Sequence, residues 1–397
     1  MKINGKILDK WASILLGHSL GGISPADTVM IKGEAVAWPL ISVLQEKILK
    51  AGAMADVFIV PPDNERGKAW GATAARILRP DRFKSVPAWQ KLRHESFTKH
   101  IEILGMGSPE LTRGVYGPSM RKIDLLNSEL LKIRRAKPWV LTLFPTPAFA
   151  GIEGLSFSVY TDVLLKASTQ DPRVLNSRAA RLARLLGETQ KLRVITRNPK
   201  AREDYELRIS LAESIMLNDT EAGYHNIPCG EVFTSPDASS VEGQIFLDMP
   251  ISMQGDVIQG VYLKFAAGKV VSFRAVKGFR RLAHIIGTDS GSRRLGEVAF
   301  GLNPSLTVPL MHPLFCEKTA GTMHFALGNC FPDGFSKKPD SKKGAARFCA
   351  LLGSGVANAS SQHTDLVVSF RKGGAGRAVF LDDRRLELRD GNWAPGS

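Results

Sequence analysis

The chain has 397 residues, more than one ordinary hydrophobic core supports, so we expect two domains. Hydrophobic residues make up 44% and charged residues 23% of the chain, proportions that are typical of soluble globular proteins. No apolar run reaches the roughly 18 residues of a membrane span, and the four cysteines show no CxxC spacing. The sequence therefore argues against a membrane protein, a zinc ribbon or a disulfide framework, and it predicts a protein of the reduced cytoplasm.

The charge balance raises the hypothesis of a nucleic-acid partner, because 53 Lys and Arg residues face 38 Asp and Glu residues and the net charge is +15. These basic residues are nevertheless dispersed along the chain. Their densest runs, residues 178–202 and 337–347, contain no aromatic side chains, and no zinc-finger or RNA-recognition signature is present. We therefore predict a basic solvated surface and no nucleic-acid partner.

The first part of the chain alternates between short strands and helices. Residues 27–32 and 55–60 are β-branched and apolar, and residues 37–50 between them have helical spacing, with Gly52 at the position of a helix-ending glycine. This order predicts a βαβ unit with parallel strands and a right-handed crossover. No glycine-rich phosphate-binding motif is present, so a nucleotide-binding loop is not supported.

Further elements of the same kind follow this unit. Apolar spacing predicts a helix over residues 1–17, strands at 101–104 and 138–144, and helical segments that continue to Gly187. The fold class expected for residues 1–187 is therefore an α/β domain with a parallel sheet.

After Gly187 the hydrophobic pattern changes to strict alternation, which predicts strands. These strands are expected at residues 191–196, 205–211, 243–250, 257–265, 269–276, 366–370 and 378–381. One helix is expected at 278–286. Residues 188–397 are therefore predicted to form a β-rich α+β domain.

Candidate metal ligands are concentrated in this second domain. Glu231 and Glu297 each follow a glycine, as if displayed at tight turns, and His324 follows a Gly-Thr pair. His363 and Asp365 are two residues apart at the head of a strand, so their side chains leave the same face. Each residue alone is more often structural or solvated. A metal site built from several loops could draw on the set Glu231, Glu297, Glu317, His324, His363 and Asp365. This set would satisfy a dinuclear site, which needs shared carboxylates as well as terminal His or Asp.

The order of these motifs resembles the thermophilic metalloaminopeptidase family of the aminopeptidase T and aminopeptidase S type. The matching motifs are NIPCGEVFTSP at 226–236, LGE at 295–297 with GLNP at 301–304, EKTAGTMHFALG at 317–328 and NASSQHTD at 358–365. Residues 140–165, residues 379–383 and the βαβ unit are also similar, so the resemblance covers nearly the whole chain. It implies an α/β domain followed by a β-rich domain with a two-metal site, in a homodimer that removes N-terminal residues from peptides.

The resemblance also implies roles for single residues. Glu231, Glu297, His324, His363 and Asp365 would bind two divalent metal ions (Zn, Co, Mn or Mg), with Glu317 as a sixth ligand. Glu297 would bridge the ions or take the proton of the attacking water, a role suited to a positioned carboxylate.

The position of the family's catalytic tyrosine departs from the family pattern. The motif after His324 continues to a tyrosine thought to be catalytic, and Phe331 occupies the position of that tyrosine here. A tyrosine hydroxyl can donate a hydrogen bond to the tetrahedral oxyanion, and loss of one such donor typically costs on the order of 10²- to 10³-fold in rate. Phenylalanine keeps the ring and removes the donor.

Two other functions compete with the aminopeptidase. Some relatives of this family are ring-opening dioxygenases of dihydroxypyridines, and His324, His363 and Asp365 alone form the 2-His-1-carboxylate set that binds a single Fe(II). Retention of Glu231 and Glu297 argues for two metals, whereas Phe331 favours the dioxygenase. A third hypothesis, a non-enzymatic basic binding protein, rests on the net charge and is opposed by the intact ligand set.

Overall fold

The computed structural model of the protein describes residues 3–60, 64–65, 84–106, 118–198, 202–253, 256–371 and 376–396. They form two compact units. Unit 1 consists mainly of the chain up to Val174 together with Asp219–Cys229, and unit 2 consists of Leu175–Asn218, Gly230–Met253 and Val257–Ser397. The sequence places the domain boundary after residue 187, at the end of a helix (Pro172–Gly187), whereas the compact units divide near the beginning of that helix.

Unit 1 contains a parallel sheet. Its strands are β1 (Thr28–Glu34), β2 (Met54–Val60), β3 (Asn64–Glu65), β4 (Lys99–Met106) and β5 (Trp139–Leu143). The parallel strands follow the order β2-β1-β4-β5, and β3 pairs antiparallel with the end of β4. The predicted strands in this part of the chain and their parallel pairing are therefore confirmed.

Helices connect and flank these strands: α1 (Gly5–Ser13), α2 (Trp38–Lys50), α3 (Ala88–Ser96), α4 (Pro118–Arg135), α5 (Pro147–Glu153) and α6 (Phe157–Ser168). The helix α2 joins β1 to β2 and is followed by Gly52 at φ +78°, a left-handed conformation that glycine adopts without strain. In the described parts of the chain, no single helix is long and apolar enough to cross a membrane, and α5 and α6 meet the criteria of length and composition only as a pair bent by 97°.

Unit 2 contains two sheets. The larger is formed by β6 (Lys191–Asn198), β7 (Glu203–Ser210), β10 (Glu242–Leu247), β11 (Ile251–Met253), β12 (Asp256–Ala266), β13 (Lys269–Lys277), β17 (Ala378–Leu381), β18 (Arg384–Arg389) and β19 (Asn392–Pro395). Its order is β11-β12-β10-β7-β6-β17-β18-β19, with β13 paired to β12. The alternating runs that predict strands between residues 191 and 276 all lie in this sheet.

The smaller sheet is formed by β8 (Leu217–Asn218), β9 (Glu231–Thr234), β14 (Leu295–Gly301), β15 (Thr322–Gly328) and β16 (His363–Ser369). Its order is β16-β15-β14-β9-β8, and all the neighbours are antiparallel. The sequence predicts only β16 among these strands. The helices of this part are α7 (Pro172–Gly187), α8 (Phe279–Ile286), α9 (Pro313–Cys316) and α10 (Lys342–Ser354).

A hydrophobic core joins the two sheets of unit 2. It includes Val194 and Leu207 from the larger sheet, Phe300 and Phe325 from the smaller sheet, and Leu282 from α8. The predicted fold class, an α/β domain with a parallel sheet followed by a β-rich α+β domain, is confirmed.

Candidate metal centre

The candidate ligands project from one face of the five-stranded sheet. In the register of the sheet, Glu297 on β14 and Asp365 on β16 lie on either side of Ala326 on β15, and His324 is opposite Ala299. Side chains two residues apart on a strand share a face. The residues that share this face are therefore Glu231, Glu297, His324, His363 and Asp365.

On β14 and β15 the ligands share this face with small residues, namely Ala299, Gly301, Ala326 and Gly328. Between them along β14 and β15, large apolar side chains belong to the hydrophobic core, namely Val298, Phe300, Phe325 and Leu327. The strands thus alternate between core residues and small or ligand residues. This alternation leaves space above the sheet in which the polar side chains converge.

The local structure differs from the tight turns and loops that the sequence predicts for Glu231 and Glu297. Both residues lie in strands, and they are 6% and 4% exposed. Gly296 is required by close packing, because a Cβ there would lie 2.2 Å from the backbone oxygen of Asn329. The glycine before Glu297 therefore serves strand packing and a bulge in β14 rather than a turn.

Glu297 lies between the two histidines. Its Oε1 is 3.2 Å from Nε2 of His324, and its Oε2 is 3.0 Å from Nε2 of His363. Oδ1 of Asp365 is 3.4 Å from Nε2 of His363 and 3.9 Å from Nε2 of His324. One carboxylate therefore faces both imidazoles, each through a different oxygen.

The orientation of His363 is fixed by the loop after β15. Its Nδ1 lies 2.8 Å from the backbone oxygen of Asn329, which can only accept, so Nδ1 carries the hydrogen and donates. Nε2 is left to face the carboxylates, and an N–H donated in this way is the usual support of a metal-binding histidine.

A second contact network holds the segment that precedes His363. The carboxylate of Asp289 accepts hydrogen bonds from the backbone N–H of Ser361 at 2.7 Å and from Oγ of Ser360 at 2.8 Å. Nδ2 of Asn358 donates to the backbone oxygen of Gly328 at 2.6 Å. These bonds tie the loop to β15 and to the end of α8.

The ionisation of the cluster reflects burial opposed by neighbouring charges. Burial alone would raise the pKa of Glu297, but hydrogen bonds from His324 and His363 hold it below its usual value. Burial would likewise lower the pKa of His324, but the hydrogen bond to Glu297 and the charges of the carboxylates raise it to about 9. His363 has its pKa raised well above 6.5 against burial, chiefly by Asp365. Without metal, protons on the imidazoles therefore balance the carboxylates, and a bound cation would replace them.

The sequence assigned no role to Lys318, which the structure places in the cluster. Its side chain is fully buried, and Nζ donates to Oε1 of Glu231 and, at 2.8 Å, to Oε1 of Glu317. Burial raises the pKa of Glu317, and attraction to Lys318 opposes that rise. A Glu-Lys pair in a sequence is typical of a solvated surface, so the sequence contains no signal for this buried contact.

The side chains present fit a divalent cation. Potential ligand atoms lie within 4.8 Å of one another in three overlapping sets: Glu231, Glu297 and His324; Glu297, His363 and Asp365; and Glu317, His324 and Asp365. Within the described residues, the buried Oδ1 of Asp365 accepts no hydrogen bond. The donors are carboxylate oxygens and imidazole nitrogens, which suit Zn²⁺, Co²⁺, Mn²⁺ or Mg²⁺. Burial raises the pKa of the nearby Cys330 thiol to about 11, which disfavours a thiolate ligand.

Phe331 lies next to the cluster. Its ring centroid is 5.1 Å from that of His363 and 5.8 Å from that of Phe233. Its backbone is held by Ser235, whose Oγ accepts from the N–H of Phe331 at 2.8 Å and donates to its carbonyl oxygen at 3.1 Å. The ring that replaces the family's tyrosine therefore packs beside a candidate ligand.

Comparison with known proteins gives the family. The model of the thermophilic metalloprotease family M29 matches residues 4–391. The chain belongs to this family. Aminopeptidase 2 of Geobacillus stearothermophilus is 25% identical over 98% of each chain. Aminopeptidase T of Thermus thermophilus is 35% identical over 30% of this chain and 29% of its own. The resemblance inferred from the motifs is confirmed, and membership of M29 makes this protein a metal-dependent peptide hydrolase.

Two solved structures share the fold. Wild-type AmpT from Thermus thermophilus has a TM-score of 0.74 at 21% identity, over 98% of this chain and 99% of that chain. A 2,5-dihydroxypyridine dioxygenase from Pseudomonas putida has a TM-score of 0.54 at 14% identity, over 99% of this chain and 98% of that chain. At these identities the likeness concerns the fold alone.

Proposed function

We propose that this M29 protein is an aminopeptidase that hydrolyses N-terminal residues from peptides with water activated at a two-metal site. The observation that carries the proposal is the position of Glu297, whose two carboxylate oxygens face two different histidines. A carboxylate placed in this way is suited to be shared between two cations.

The other candidate ligands form two pairs, one on each side of Glu297. Glu231 and His324 lie together on one side, with Oε2 of Glu231 3.6 Å from Nε2 of His324. His363 and Asp365 lie together on the other side. Each side thus offers one imidazole and one further carboxylate, with Glu297 common to both. The named aminopeptidase relatives support the assignment of the substrate as a peptide with a free N-terminus.

The chemistry follows from the ionisation of these groups. When bound, two divalent ions lower the pKa of water and polarise the scissile carbonyl. Glu297, with its pKa held below the usual value, is ionised near neutral pH, and two roles are open to it. It would be shared between the ions through both oxygens, or, with one oxygen free of metal, it would accept the proton of the attacking water and return it to the leaving amine. His363 and Asp365 keep side-chain exposures of 23% and 14%, so we expect the peptide to approach beside them and Phe331.

Metal content together with a peptide digest tests the proposal. We expect two Zn²⁺, Co²⁺, Mn²⁺ or Mg²⁺ ions per chain after loading, and stepwise loss of N-terminal residues from a peptide library. One redox-active iron per chain and ring opening of a dihydroxypyridine would instead support the dioxygenase, which His324, His363 and Asp365 can also accommodate. Absence of bound metal together with salt-sensitive binding of nucleic acid would support the basic binding protein.

Substitution of Glu297 tests its role directly. We expect Glu297→Gln to abolish hydrolysis of amino-acid p-nitroanilides by metal-loaded protein, because the amide neither accepts the proton nor carries charge to a cation. Glu206→Gln is a matched control, since Glu206 is half-buried on the larger sheet of the same unit and pairs with Arg193 at 3.3 Å. Unchanged turnover in Glu297→Gln, with a circular dichroism spectrum like that of the wild type, would remove Glu297 from the mechanism.

The proposal includes a homodimer, located in the cytoplasm, that has no nucleic-acid partner. Sedimentation velocity measures whether the protein is a dimer. A monomer with full peptidase activity would contradict the proposed homodimer and would show that hydrolysis does not depend on dimerisation.

A further inference from the structure

The buried ammonium of Lys318 is anchored by its own backbone. The residue follows α9, and its carbonyl oxygen accepts hydrogen bonds from the backbone N–H groups of Asn303 at 2.8 Å and Leu302 at 3.1 Å. Leu302 also donates to the backbone oxygen of Gly230, the residue before Glu231. The main chain that carries Lys318 is therefore tied to the ends of the two strands that carry Glu231 and Glu297.

The carboxylates of the cluster differ in whether they contact an imidazole or the ammonium of Lys318. Glu231, Glu297 and Asp365 each have an oxygen 3.6 Å or less from an imidazole Nε2. The ion pair of Glu317, by contrast, is with Lys318 at 2.8 Å. Lys318 also binds Oε1 of Glu231, while Oε2 of Glu231 faces His324. The lysine thus contacts one oxygen of Glu317 and one oxygen of Glu231.

The charges of the cluster indicate how Lys318 affects metal binding. With both imidazoles neutral, as metal binding requires, the ionised carboxylates of Glu231, Glu297, Glu317 and Asp365 carry four negative charges and Lys318 carries one positive charge, so three negative charges remain. A buried ammonium repels a nearby divalent cation, and the effect is strong because little water screens it. The lysine is therefore expected to weaken metal binding while it keeps the carboxylates in place without metal.

We propose that Lys318 is a positioning residue that acts as an internal counter-cation of the metal site, retaining Glu317 as its own partner and limiting the affinity of the site for divalent ions. The inference rests on the proposed two-metal function and goes beyond it. It leaves five ligands to the metal, namely Glu231, Glu297, His324, His363 and Asp365.

Calorimetric titration with Zn²⁺ at one neutral pH, combined with elemental analysis, tests the role of Lys318 without any assay of activity. We expect Lys318→Met to raise the affinity for Zn²⁺ at least about tenfold, because a like charge is removed from the cluster. We expect the same variant to unfold at a lower temperature than the wild type when metal-free, because the carboxylates lose their partner. Lys137→Met is the matched control, since Lys137 donates to the backbone oxygens of His94, Glu95 and Phe97 in unit 1.

The double variant Lys318→Met with Glu317→Gln removes both members of the pair and restores the net charge of the cluster. We expect its affinity for Zn²⁺ to be within about threefold of the wild type, with the same number of ions bound. It also serves if the single variant does not fold, because removal of a whole buried ion pair is better tolerated than removal of one partner.

Two outcomes would overturn the inference: a Lys318→Met protein that binds Zn²⁺ no more tightly than the wild type, or a double variant that binds it more than tenfold more weakly. The second outcome would make Glu317 a metal ligand. A wild-type protein that binds two ions but cleaves no peptide would overturn the proposed function alone.

Discussion

The phenyl ring of Phe331 packs against the imidazole of His363 at 5.1 Å between centroids, at the side of the site that is partly exposed to solvent. A hydroxyl on this ring would add a hydrogen-bond donor beside the candidate ligands. We therefore regard position 331 as the residue at which the rate of this enzyme is most readily changed.

We expect Phe331→Tyr to raise kcat for amino-acid p-nitroanilides, by up to the order of 10²- to 10³-fold that one oxyanion donor contributes. Phe233→Tyr is the matched control, because it adds a hydroxyl to the neighbouring ring, 5.8 Å from that of Phe331. No gain in Phe331→Tyr, in a protein that already turns over well, would mean that another group donates to the oxyanion.

Single residues could be predicted from the sequence only where their chemistry is distinctive. The histidines and acids are weak signals singly and predict a metal site only as ordered motifs that resemble a known family, and the structure brings these residues together. Lys318 could not be predicted, because a lysine beside a glutamate is common on surfaces and its burial depends on a distant contact with Glu231. A pair separated by 87 positions has no local signal.

At the scale of elements, the segment that leads into β16 lies outside any strand, and side-chain hydrogen bonds supplement the backbone bonds that hold it. Asp289 accepts from Ser360 and Ser361 there, and Asn358 donates to Gly328. Because His363 follows directly, the geometry of that ligand depends on a carboxylate outside the metal cluster.

We expect Asp289→Ala to weaken Zn²⁺ binding by about tenfold, because the loss of these hydrogen bonds lets His363 depart from its productive orientation. Asp382→Ala is the matched control, since Asp382 likewise holds a turn, accepting from the backbone N–H groups of Gln190 and Lys191 at 3.0 and 2.7 Å. Calorimetry measures affinity, and thermal unfolding measures stability. Equal changes in Zn²⁺ affinity in both variants would mean that Asp289 has only a structural role.

Strands can be predicted from the sequence where one of their faces is polar. The strands between residues 191 and 276 alternate between apolar and polar residues, and their positions agree with the structure. The strands β14 and β15 were missed, because every residue in them is buried and the alternation is between large apolar residues and Ala, Gly or ligands. Such a pattern differs little from that of a buried loop or helix.

At the scale of the whole molecule, the cluster links stability to pH. The pKa of His324 is raised from 6.5 in the unfolded chain to about 9 in the metal-free fold. A raised pKa contributes stability that is fully present below the unfolded value and is lost as the pH rises through the folded value. His363 acts in the same direction.

We therefore expect the free energy of unfolding of EDTA-treated protein to fall between pH 6.5 and about 9, with His324 alone contributing on the order of 3 kcal/mol. Urea unfolding at several pH values measures this change. Metal-saturated protein is the control, because its imidazoles no longer carry the protons and the same fall is not expected. Stability of the metal-free protein that is constant or rises over this range would contradict the proposed protonation of the histidines.

The separation of the two faces of the smaller sheet of unit 2 bears on how this scaffold evolves. The candidate metal ligands lie on the face of Ala326, whereas residues on the face of Phe325 belong to the core that holds the sheet in place. Mutations can therefore accumulate on one face and alter the reaction while the fold persists. This chain and a 2,5-dihydroxypyridine dioxygenase share a fold at 14% identity, so the scaffold itself accommodates widely different sequences.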